Sequence, residues 1–362
     1  MRYRKLGNTG MNVSCIGLGS AQLGFATTDY AVRMVQRAVE LGVNYFDTAR
    51  GYWDSEVKMG LALADCRQRV YISTKTGARK KEDAWREVRE SLQRLQTDYL
   101  DNVHLHGLQS GEDLDLRLGP GGALEALVEA REQGLVRHIG LSTHTWRTVY
   151  EALERFDFET ILVIMNLVES EPLEMLPLCQ RKGVGVTVMK PVATGLIPSK
   201  LALKWLLNQP IATAVPGATN LAELEENSQV GYLGDLTLTP EEEAEVQRLV
   251  EQFAHVRCRS CALCEPCPTK MWLSGILGSD IVGNYYRNMG PEAFRRYPWA
   301  AETLTGGVKD RQTLLQGLRA CDHCGECERK CPYGLPVVSM LEEMIAPAEE
   351  MVRIWSELAE NQ

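Results

Sequence analysis

The sequence predicts a (β/α)₈ TIM barrel followed by a smaller, cysteine-rich α-helical domain. Three observations predict this α/β class. Short β-rich runs alternate with amphipathic stretches through the first 235 residues, six consecutive runs end in polar residues, and eight of the eleven cysteines form two tight groups after residue 250. Strand–helix alternation of this kind is typical of a parallel sheet covered by helices. The 362 residues are enough for such a barrel and one further domain.

Eight β-strand candidates occur in the barrel region, at 15–20, 44–48, 70–75, 102–106, 137–142, 161–166, 184–190 and 211–217. Helices are expected between them, including 82–96, 123–134 and 201–209. The first helix is expected to begin with Thr28 as its N-cap, to stop at Gly42, and to bury Ala31, Met34, Val35, Ala38 and Val39. A doubly wound sheet is the alternative, but "GLGSAQLG" lacks the third glycine of a dinucleotide-binding turn.

The charge and the apolar pattern argue against two classes of partner. The net charge is −9, whereas nucleic-acid binding requires a basic face, so no nucleic-acid partner is expected. Apolar runs such as 161–165 are too short to span a bilayer, and "MRYRKLGNTGMNV" has no apolar region after its basic residues. We therefore expect a cytoplasmic protein with no membrane partner, whose thiols serve metals or catalysis rather than disulfides.

Polar or ionisable residues end six consecutive predicted strands. In a (β/α)₈ barrel the loops that carry the chemistry open at the carboxyl ends of the strands. Each of these side chains taken alone has a structural explanation, such as a surface lysine or a hydrogen-bonded histidine in the barrel wall. Together they predict a polar mouth formed by Asp47, Lys75, His106, Ser142 with Thr143, Asn166 and Lys190.

Four residues of this region suit the reduction of a carbonyl. Asp47 and Lys75 end neighbouring strands, and Tyr52 lies five residues after Asp47. A lysine ammonium favours the phenolate, so we expect the pKa of Tyr52 to be lowered and the tyrosine to donate a proton near neutral pH. Asp47 would keep Lys75 charged and oriented, and His106 would hydrogen-bond the same substrate oxygen.

Signature segments occur in the order found in a known family. "FDTARGYWDSE" contains Asp47 and Tyr52, "ISTKTG" contains Lys75, and "TDYLDNVHLHG" contains His106. With the opening "YRKLGNTGMNVSCIGLG", these segments resemble the aldo-keto reductase family over residues 1–235. The resemblance implies that Asp47, Tyr52, Lys75 and His106 are catalytic, with His106 rather than His104 as the catalytic histidine.

Two further segments resemble the family's cofactor site. "GLVRHIGLSTH" is similar to its nicotinamide signature, and "VPGATNLAELEEN" is similar to its adenosine-binding segment. The resemblance implies NAD(H) or NADP(H), with a small-molecule carbonyl or alcohol as substrate. The implied cofactor-binding residues are Ser142, Thr143 and Asn166 for the carboxamide, Asn227 for the adenine, and Lys190 and Gly217 nearby.

Four positions depart from the family pattern. NADP-preferring members usually carry a basic residue near Gly217 and an arginine near Glu223. A carboxylate at 223 would repel a 2′-phosphate, so NAD is favoured. Met189 replaces the aromatic residue that often stacks on the nicotinamide, and Thr143 stands where asparagine is common.

The cysteine groups predict two [4Fe–4S] clusters. The first group is Cys258, Cys261, Cys264 and Cys267, followed by Pro268. The second has the bacterial ferredoxin spacing C-x₂-C-x₂-C-x₃-C-P and comprises Cys321, Cys324, Cys327 and Cys331, whereas the first is one residue shorter before its last cysteine. In two-cluster ferredoxins the fourth cysteine of each group ligates the other cluster. One cluster would therefore use Cys258, Cys261, Cys264 and Cys331, and the other Cys321, Cys324, Cys327 and Cys267.

Two alternatives apply to these cysteines. Paired C-x₂-C sequences also form Cys₄ zinc sites, although zinc knuckles use two cysteines per group. The clusters could also brace the fold without transferring electrons. The aromatic residues between the groups, among them Trp272, Tyr285, Tyr286 and Trp299, are interpreted as helical packing around the clusters, as in cluster-bearing relatives.

The predicted organisation has four parts. The barrel covers 1–235, a capped linking helix falls within 236–254, a ferredoxin-like two-cluster domain covers 255–345 with a helical insertion at 269–320, and a C-terminal helix interrupted near Pro347 covers 346–362. The leading hypothesis is an aldo-keto-reductase-type oxidoreductase with two [4Fe–4S] clusters and a redox partner protein. The alternatives are an electron-transfer protein whose barrel is a scaffold without nicotinamide chemistry, and a reductase whose clusters are purely structural.

Overall fold

The computed structural model describes residues 1–24, 26–279 and 315–359. The chain divides into two compact units, Met1–Arg248 and Leu249–Gln362, and each is described by itself. None of the helices in the described ranges is long and apolar enough to cross a membrane.

The first unit contains a short antiparallel hairpin and a barrel of eight parallel strands. The hairpin strands are β1 (Tyr3–Lys5) and β2 (Asn12–Ser14). The barrel strands are β3 (Leu18–Gly19), β4 (Tyr45–Asp47), β5 (Tyr71–Thr76), β6 (Leu100–Leu105), β7 (Val136–Thr143), β8 (Thr160–Ile164), β9 (Gly185–Met189) and β10 (Thr213–Ala214). They are hydrogen-bonded in sequence order from β3 to β10. A parallel bridge between Ile16 and Ala214 closes the barrel.

The helices of this unit follow the strands. They are α1 (Thr28–Glu40), α2 (Ser55–Leu63), α3 (Lys81–Leu95), α4 (Glu112–Leu118), α5 (Ala123–Glu132), α6 (Thr148–Arg155), α7 (Leu176–Lys182), α8 (Ser199–Leu207), α9 (Leu221–Val230) and α10 (Pro240–Phe253), in which the division between the units falls. Apolar faces such as Ala31, Met34, Val35 and Ala38 of α1 pack against the outside of the sheet. The result is the (β/α)₈ barrel that the sequence predicts.

The hairpin lies at the end of the barrel opposite the carboxyl ends of the strands. Its residues Leu6, Met11 and Val13 pack in one apolar cluster with Tyr45 and Leu162 from the barrel strands. Gly7 has φ +53°, and a Cβ at this position would lie 2.3 Å from the backbone nitrogen of Gly185, at the start of β9. This close approach requires glycine. The candidate active site therefore lies at the other end of the barrel, where the strands end.

All eight predicted strands are confirmed, one local prediction is wrong and one element was missed. The N-cap of α1 is Thr27 rather than Thr28, and its side chain makes no capping hydrogen bond. The sequence analysis did not predict the hairpin, because three-residue strands give too short an alternation to detect. Gly42 does end α1, with φ +77°.

The second unit is helical. Beyond α10 its helices are α11 (Leu273–Ser279), α12 (Glu326–Lys330), α13 (Val337–Glu343) and α14 (Ile345–Ala359). Leu273, Leu318, Leu341 and Ile354 belong to its own apolar core, against which several of the grouped cysteines pack. The helix break predicted near Pro347 falls at Met344, so Pro347 lies in the first turn of α14, where proline is tolerated. Tyr285, Tyr286 and Trp299 lie outside the described residues.

Candidate active site and cysteine centre

Side chains from the ends of β4 and β5 form the base of the candidate active site. Parallel pairing places Asp47 beside Ser73 and Lys75 beside His104, so these strand ends lie at one edge of the sheet. Lys75 Nζ donates hydrogen bonds to Asp47 Oδ1 and to the carbonyl oxygen of Thr48, both at 2.6 Å. These two bonds fix the ammonium in a defined position.

Tyr52 lies next to this ion pair. The centroid of its ring is 4.8 Å from Lys75 Nζ. The ring centroids of Tyr52 and His106 are 5.6 Å apart, with the planes at 83°. Tyr52 is on the loop between β4 and α2, and His106 directly follows β6. The structure therefore brings together the four side chains that the sequence analysis proposed as catalytic.

The Asp47–Lys75 pair is buried, with Lys75 only 1% exposed. Burial lowers the pKa of Lys75, but the Asp47 carboxylate and the Tyr52 hydroxyl more than offset it, so the pKa is raised above its usual value. Lys75 is therefore a cation at neutral pH. Asp47 Oδ2 is buried and has no hydrogen-bond partner among the described residues.

The pKa of Tyr52 contradicts the expectation from the sequence. Burial raises it above the usual value of 10.0, and the lowering by the Lys75 charge is the smaller effect. Tyr52 is therefore a neutral phenol near pH 7, the form that donates a proton. Burial and the nearby positive charges of Lys75 and Arg117 lower the pKa of His106 to about 3. Its imidazole is thus neutral and acts only through hydrogen bonds.

His104 lies deeper in the barrel than His106. Its Nδ1 is 3.3 Å from Ser73 Oγ, and its Nε2 is 3.0 Å from Asn102 Nδ2 and 3.1 Å from Thr160 Oγ1. The side chain is fully buried, and burial holds its pKa well below the usual value. Both ring nitrogens are engaged within the barrel wall, so the structure gives His104 a packing role.

The sequence analysis missed the residues that fix the loop carrying Tyr52. Ser20 and Ser55 have hydroxyl oxygens 2.7 Å apart, and Thr48 Oγ1 donates to Ser55 Oγ at 2.9 Å. Glu56 accepts a 2.6 Å bond from Thr74 Oγ1 and is fully buried.

A signal for such residues exists in the sequence. Glu56 and Lys58 are charged residues at buried positions of α2, among apolar neighbours such as Met59, Ala62 and Leu63. A charge on the apolar face of an amphipathic helix costs free energy unless it has partners. It therefore marks a side chain with a specific partner, although the pattern does not reveal which one.

The residues expected to hold the nicotinamide lie at the mouth of the barrel, but each forms hydrogen bonds with neighbouring protein groups. Ser142 Oγ accepts a bond from the Gly107 backbone N–H at 2.9 Å. Thr143 Oγ1 bonds to the backbone of Thr145. Asn166 donates to Glu169 Oε2 at 2.6 Å, at the end of β8. Hydroxyl and amide groups at these strand ends match the donors and acceptors of a carboxamide.

Lys190 and Gly217 follow β9 and β10. The carbonyl oxygen of Lys190 accepts a 3.2 Å bond from Asn166 Nδ2, and Lys190 has φ +52°, an unusual conformation for lysine. A Cβ at Gly217 would lie 2.4 Å from Gln22 Oε1, so the amide of Gln22 lies directly over this glycine. Gln22 is a further residue that the sequence analysis did not identify. Asn227 is buried on α9.

The Glu223 side chain is hydrogen-bonded to neighbouring residues at the first turn of α9. Its carboxylate accepts bonds from the Thr219 backbone N–H at 2.7 Å and from Asn220 Nδ2 at 2.9 Å. Asn220 Oδ1 in turn accepts from the Glu223 backbone N–H at 2.9 Å. This reciprocal arrangement is a variant of the capping box, in which Glu223 accepts from the backbone N–H of Thr219 rather than from that of the N-cap Asn220. It places a carboxylate at the positive end of the helix dipole, where an anion binds well.

The grouped cysteines come close together in the second unit. Burial, and then the neighbouring thiols of Cys264, Cys261 and Cys331, raise the pKa of Cys258 to about 12. Cys331 belongs to the second group in the sequence and yet lies beside three members of the first. This neighbourhood matches one of the two ligand sets that the spacing predicts.

A cavity in the same unit is lined by the other ligand set. Its walls include Cys267, Cys321, Cys324 and Cys327, and also Cys264 of the other predicted set. Thr269 Oγ1 lies 3.2 Å from Cys267 Sγ. Members of both sequence groups therefore lie together in this unit, although no group of three or more His, Cys, Asp or Glu side chains among the described residues is arranged to hold a metal ion. Four thiolates are the ligands that a [4Fe–4S] cluster requires.

The fold and the site define an oxidoreductase built on a (β/α)₈ barrel with a cysteine-rich helical unit. The Aldo/keto reductase family pattern matches residues 15–200, which is about half of the chain. The pattern of a 4Fe-4S dicluster domain matches residues 257–336. The chain belongs to the aldo/keto reductase family and carries a 4Fe-4S dicluster domain after its barrel.

Known proteins agree with this assignment. L-galactose dehydrogenase of Arabidopsis thaliana is 30% identical over 330 residues, which cover 76% of this chain and 98% of the plant enzyme. The uncharacterized oxidoreductase YqkF of Bacillus subtilis is 28% identical over 292 residues, covering 66% of this chain and 93% of that protein.

Solved structures also match the barrel. The holo form of the aldo-keto reductase AKR11C1 from Bacillus halodurans superimposes with a TM-score of 0.60 and 30% identity, covering 69% of this chain and 96% of that chain. An aldo/keto reductase from Klebsiella pneumoniae, solved in complex with NADP and acetate, gives a TM-score of 0.58 and 25% identity, with coverage of 69% and 96%.

Proposed function

We propose that the barrel transfers a hydride between a nicotinamide dinucleotide and a carbonyl or alcohol substrate, with Tyr52 as the proton donor. The observation that carries this proposal is the Lys75 ammonium, held by Asp47 and Thr48 beside the Tyr52 ring and near His106. The dinucleotide would supply the hydride that forms the new C–H bond at the carbonyl carbon. Tyr52 gives its phenolic proton to the carbonyl oxygen, and the alcohol leaves neutral.

The side chains around Tyr52 have separate roles in this step. The Lys75 cation stabilises the phenolate that forms as Tyr52 loses its proton, and Asp47 keeps that cation charged and oriented. His106, which is neutral, hydrogen-bonds the carbonyl oxygen and helps to orient it. In alcohol oxidation the same groups act in reverse, and the Tyr52 phenolate accepts the proton.

The pH dependence of the two directions tests this proposal. Because the pKa of Tyr52 is raised above 10.0, the phenol stays protonated from about pH 6 to pH 9, and kcat for reduction is expected to be flat there. The phenolate fraction rises about ten-fold per pH unit over that range, so kcat for oxidation should rise by about that factor. His106, with a pKa of about 3, adds no inflection near neutrality. Steady-state rates in both directions would measure this.

The matched control is Tyr52→Phe, which should abolish the rise with pH of kcat for oxidation. An inflection of the reduction rate between about pH 6 and pH 8 that survives in Tyr52→Phe would contradict the assignment of Tyr52 as the proton donor.

We infer that NAD(H) is preferred over NADP(H). The Klebsiella pneumoniae relative was solved with NADP, so the family site can hold a 2′-phosphate. In this chain Glu223 occupies the first turn of α9 with its own carboxylate, which would repel a phosphate at the same helix end.

Glu223→Gln is expected to improve kcat/KM for NADPH about ten-fold and to leave NADH nearly unchanged, because removing one like charge is worth about 1.4 kcal/mol. Glutamine preserves the capping box, so the helix should stay folded. Steady-state kinetics with both dinucleotides measure the ratio. Glu226→Gln, an exposed position one turn along α9, is the control. An unchanged preference in Glu223→Gln would show that other contacts set it.

We propose that the second unit holds two [4Fe–4S] clusters. Cys258, Cys261, Cys264 and Cys331 would ligate one cluster, supported by the closeness of Cys331 to the first group. Cys321, Cys324, Cys327 and Cys267 would ligate the other, supported by the cavity that they line. The clusters would supply one-electron transfer, with a redox partner protein as donor or acceptor.

An electron-transfer protein with a scaffold barrel is the second candidate function. The observation that favours it is the engagement of Thr143 and Asn166 in bonds to their own loops. Hydride transfer from NADH or NADPH to a carbonyl substrate, detected as substrate-dependent loss of the reduced nicotinamide absorbance, would exclude this candidate. If reduction proceeds while neither dinucleotide bleaches the cluster absorbance, the clusters are structural or exchange electrons with another protein.

A further inference from the structure

A lysine with no catalytic assignment is buried next to the loop that carries Tyr52. Lys58 lies on α2, six residues after Tyr52, and is only 5% exposed. Its Nζ donates three hydrogen bonds to backbone carbonyl oxygens, to Gly24 at 2.7 Å, to Ala26 at 2.8 Å and to Leu23 at 3.2 Å. All three acceptors belong to the β3–α1 loop, whose described residues are 20–24 and 26–27.

The burial of this ammonium has a cost that a packing role does not explain. A buried charge loses its hydration, and burial does lower the pKa of Lys58. An apolar side chain of similar length would fill the same space without that loss. Three carbonyl acceptors satisfy all three protons of an ammonium. The interaction therefore ties α2 to one particular conformation of the β3–α1 loop.

The β3–α1 loop contacts the proton donor directly. Gly24 packs against the backbone of Tyr52, and a Cβ added at Gly24 would lie 2.5 Å from the Tyr52 carbonyl oxygen. At the start of the same loop, Ser20 Oγ donates to the Asp47 carbonyl oxygen at 2.8 Å. The loop therefore packs directly against the backbone of Tyr52.

The same loop also contacts the proposed cofactor segment. The amide of Gln22 covers Gly217, where a Cβ would lie 2.4 Å from Gln22 Oε1. Gln22–Gly24 forms a single turn of 3₁₀ helix, so both contacts come from one short element. One short loop thus joins the backbone of Tyr52 to the residue that follows β10.

We propose that Lys58 is a positioning residue for the reaction, because its three carbonyl bonds hold the β3–α1 loop against Tyr52 and Gly217. This inference rests on the proposed function of Tyr52 and the dinucleotide. Lys58 would act through the loop that it binds rather than on a reactant. It sets where the phenol and the cofactor segment stand relative to each other.

The test compares Lys58→Met, which removes the charge and keeps the length, with Lys58→Arg, which keeps a cation with several donors. Lys58→Met is expected to lower kcat/KM about a hundred-fold, since a displacement of about 1 Å at a reacting group has an effect of that size. Lys58→Arg should recover at least a third of the rate. The exposed-lysine control Lys200→Met should stay within about two-fold of the parent.

Two further measurements separate positioning from a general loss of stability. In a Tyr52→Phe background, adding Lys58→Met should lower the residual rate by less than about five-fold, because the proton donor that Lys58 positions is already absent. Hydrogen exchange of peptides covering 20–27 and 48–56 should accelerate in Lys58→Met, while peptides of β6 and β7 should keep the parent rates.

A second variant tests the same loop if Lys58→Met does not fold. Gly24→Ala leaves Lys58 intact but forces the loop away from the Tyr52 carbonyl, so it should show the same fall in kcat/KM. Gly51→Ala is its matched control, because a Cβ at Gly51 meets nothing within 4 Å and lies next to Tyr52 in sequence.

The outcomes separate this inference from the proposed function. Kinetic constants of folded Lys58→Met equal to those of the parent, with only a lower melting temperature, would overturn the positioning role. If Lys58→Met lowers the rate by the same factor in the parent and in the Tyr52→Phe background, the positioning role is also overturned. If the parent protein itself transfers no hydride, the proposed function fails, and the exchange measurement alone decides whether Lys58 fixes the loop.

Discussion

Tyr52→Phe is expected to lower kcat for carbonyl reduction about a thousand-fold, within the range that a positioned general acid contributes. The ring remains, so its contact with Lys75 and its edge-on packing with His106 are preserved. The dinucleotide should therefore bind as tightly as in the parent. The loss should fall on kcat rather than on KM, because the missing proton is needed only as the oxygen gains charge. Stopped-flow measurement of a single hydride transfer isolates this step.

A tyrosine far from the site provides the control. Tyr150 lies on α6 and donates a hydrogen bond to the Glu174 carbonyl oxygen at 3.1 Å. Tyr150→Phe removes an equivalent hydroxyl and should keep kcat within about two-fold. A fall of less than about ten-fold in Tyr52→Phe would assign the proton to another group.

The crossed ligation of the two clusters predicts the second large effect. The parent protein, purified without oxygen, should contain about eight irons and eight sulfides and no stoichiometric zinc. Cys258→Ala combined with Cys331→Ala removes two ligands from one cluster only, so about four irons should remain. Cys258→Ala combined with Cys267→Ala removes one ligand from each cluster and should leave fewer than about four.

The relative iron contents of these two double variants discriminate between the ligand schemes. If each sequence group instead held its own cluster, the pair Cys258 and Cys267 would be the one that retains about four irons. Cys179→Ala is the control, because Cys179 is a buried cysteine of α7 in the barrel. Stoichiometric zinc in place of iron in the purified parent protein would contradict the cluster proposal. Iron and sulfide analysis with electron paramagnetic resonance of the reduced protein measures all three outcomes.

Much of the barrel could be predicted from the sequence because its signals are local. A buried parallel strand is a short β-rich run, and its following helix has a 3.6-residue apolar period. These patterns located all eight strands, and the strand ends gave Asp47, Lys75 and His106. The hairpin was missed, and the N-cap of α1 was predicted one residue too late. Both errors arise because such short segments carry too little periodic information.

The ionisation of the site could not be predicted from the sequence. The proximity of Lys75 to Tyr52 was expected, but whether the lysine or burial controls the pKa depends on how much water reaches the phenol. Burial is a property of the whole barrel, and here it outweighs the lysine. The neutral state of His106 has the same origin.

The sequence by itself determined the family, the order of the strands, the four grouped residues of the mouth and the two cysteine groups, because each depends on spacing along the chain. Only the tertiary structure decided that Cys331 lies beside Cys258, that Glu223 caps its own helix, and that Lys58 binds the carbonyls of a loop more than thirty residues earlier. These contacts join segments distant in sequence, and the packing of strands and helices brings those segments together.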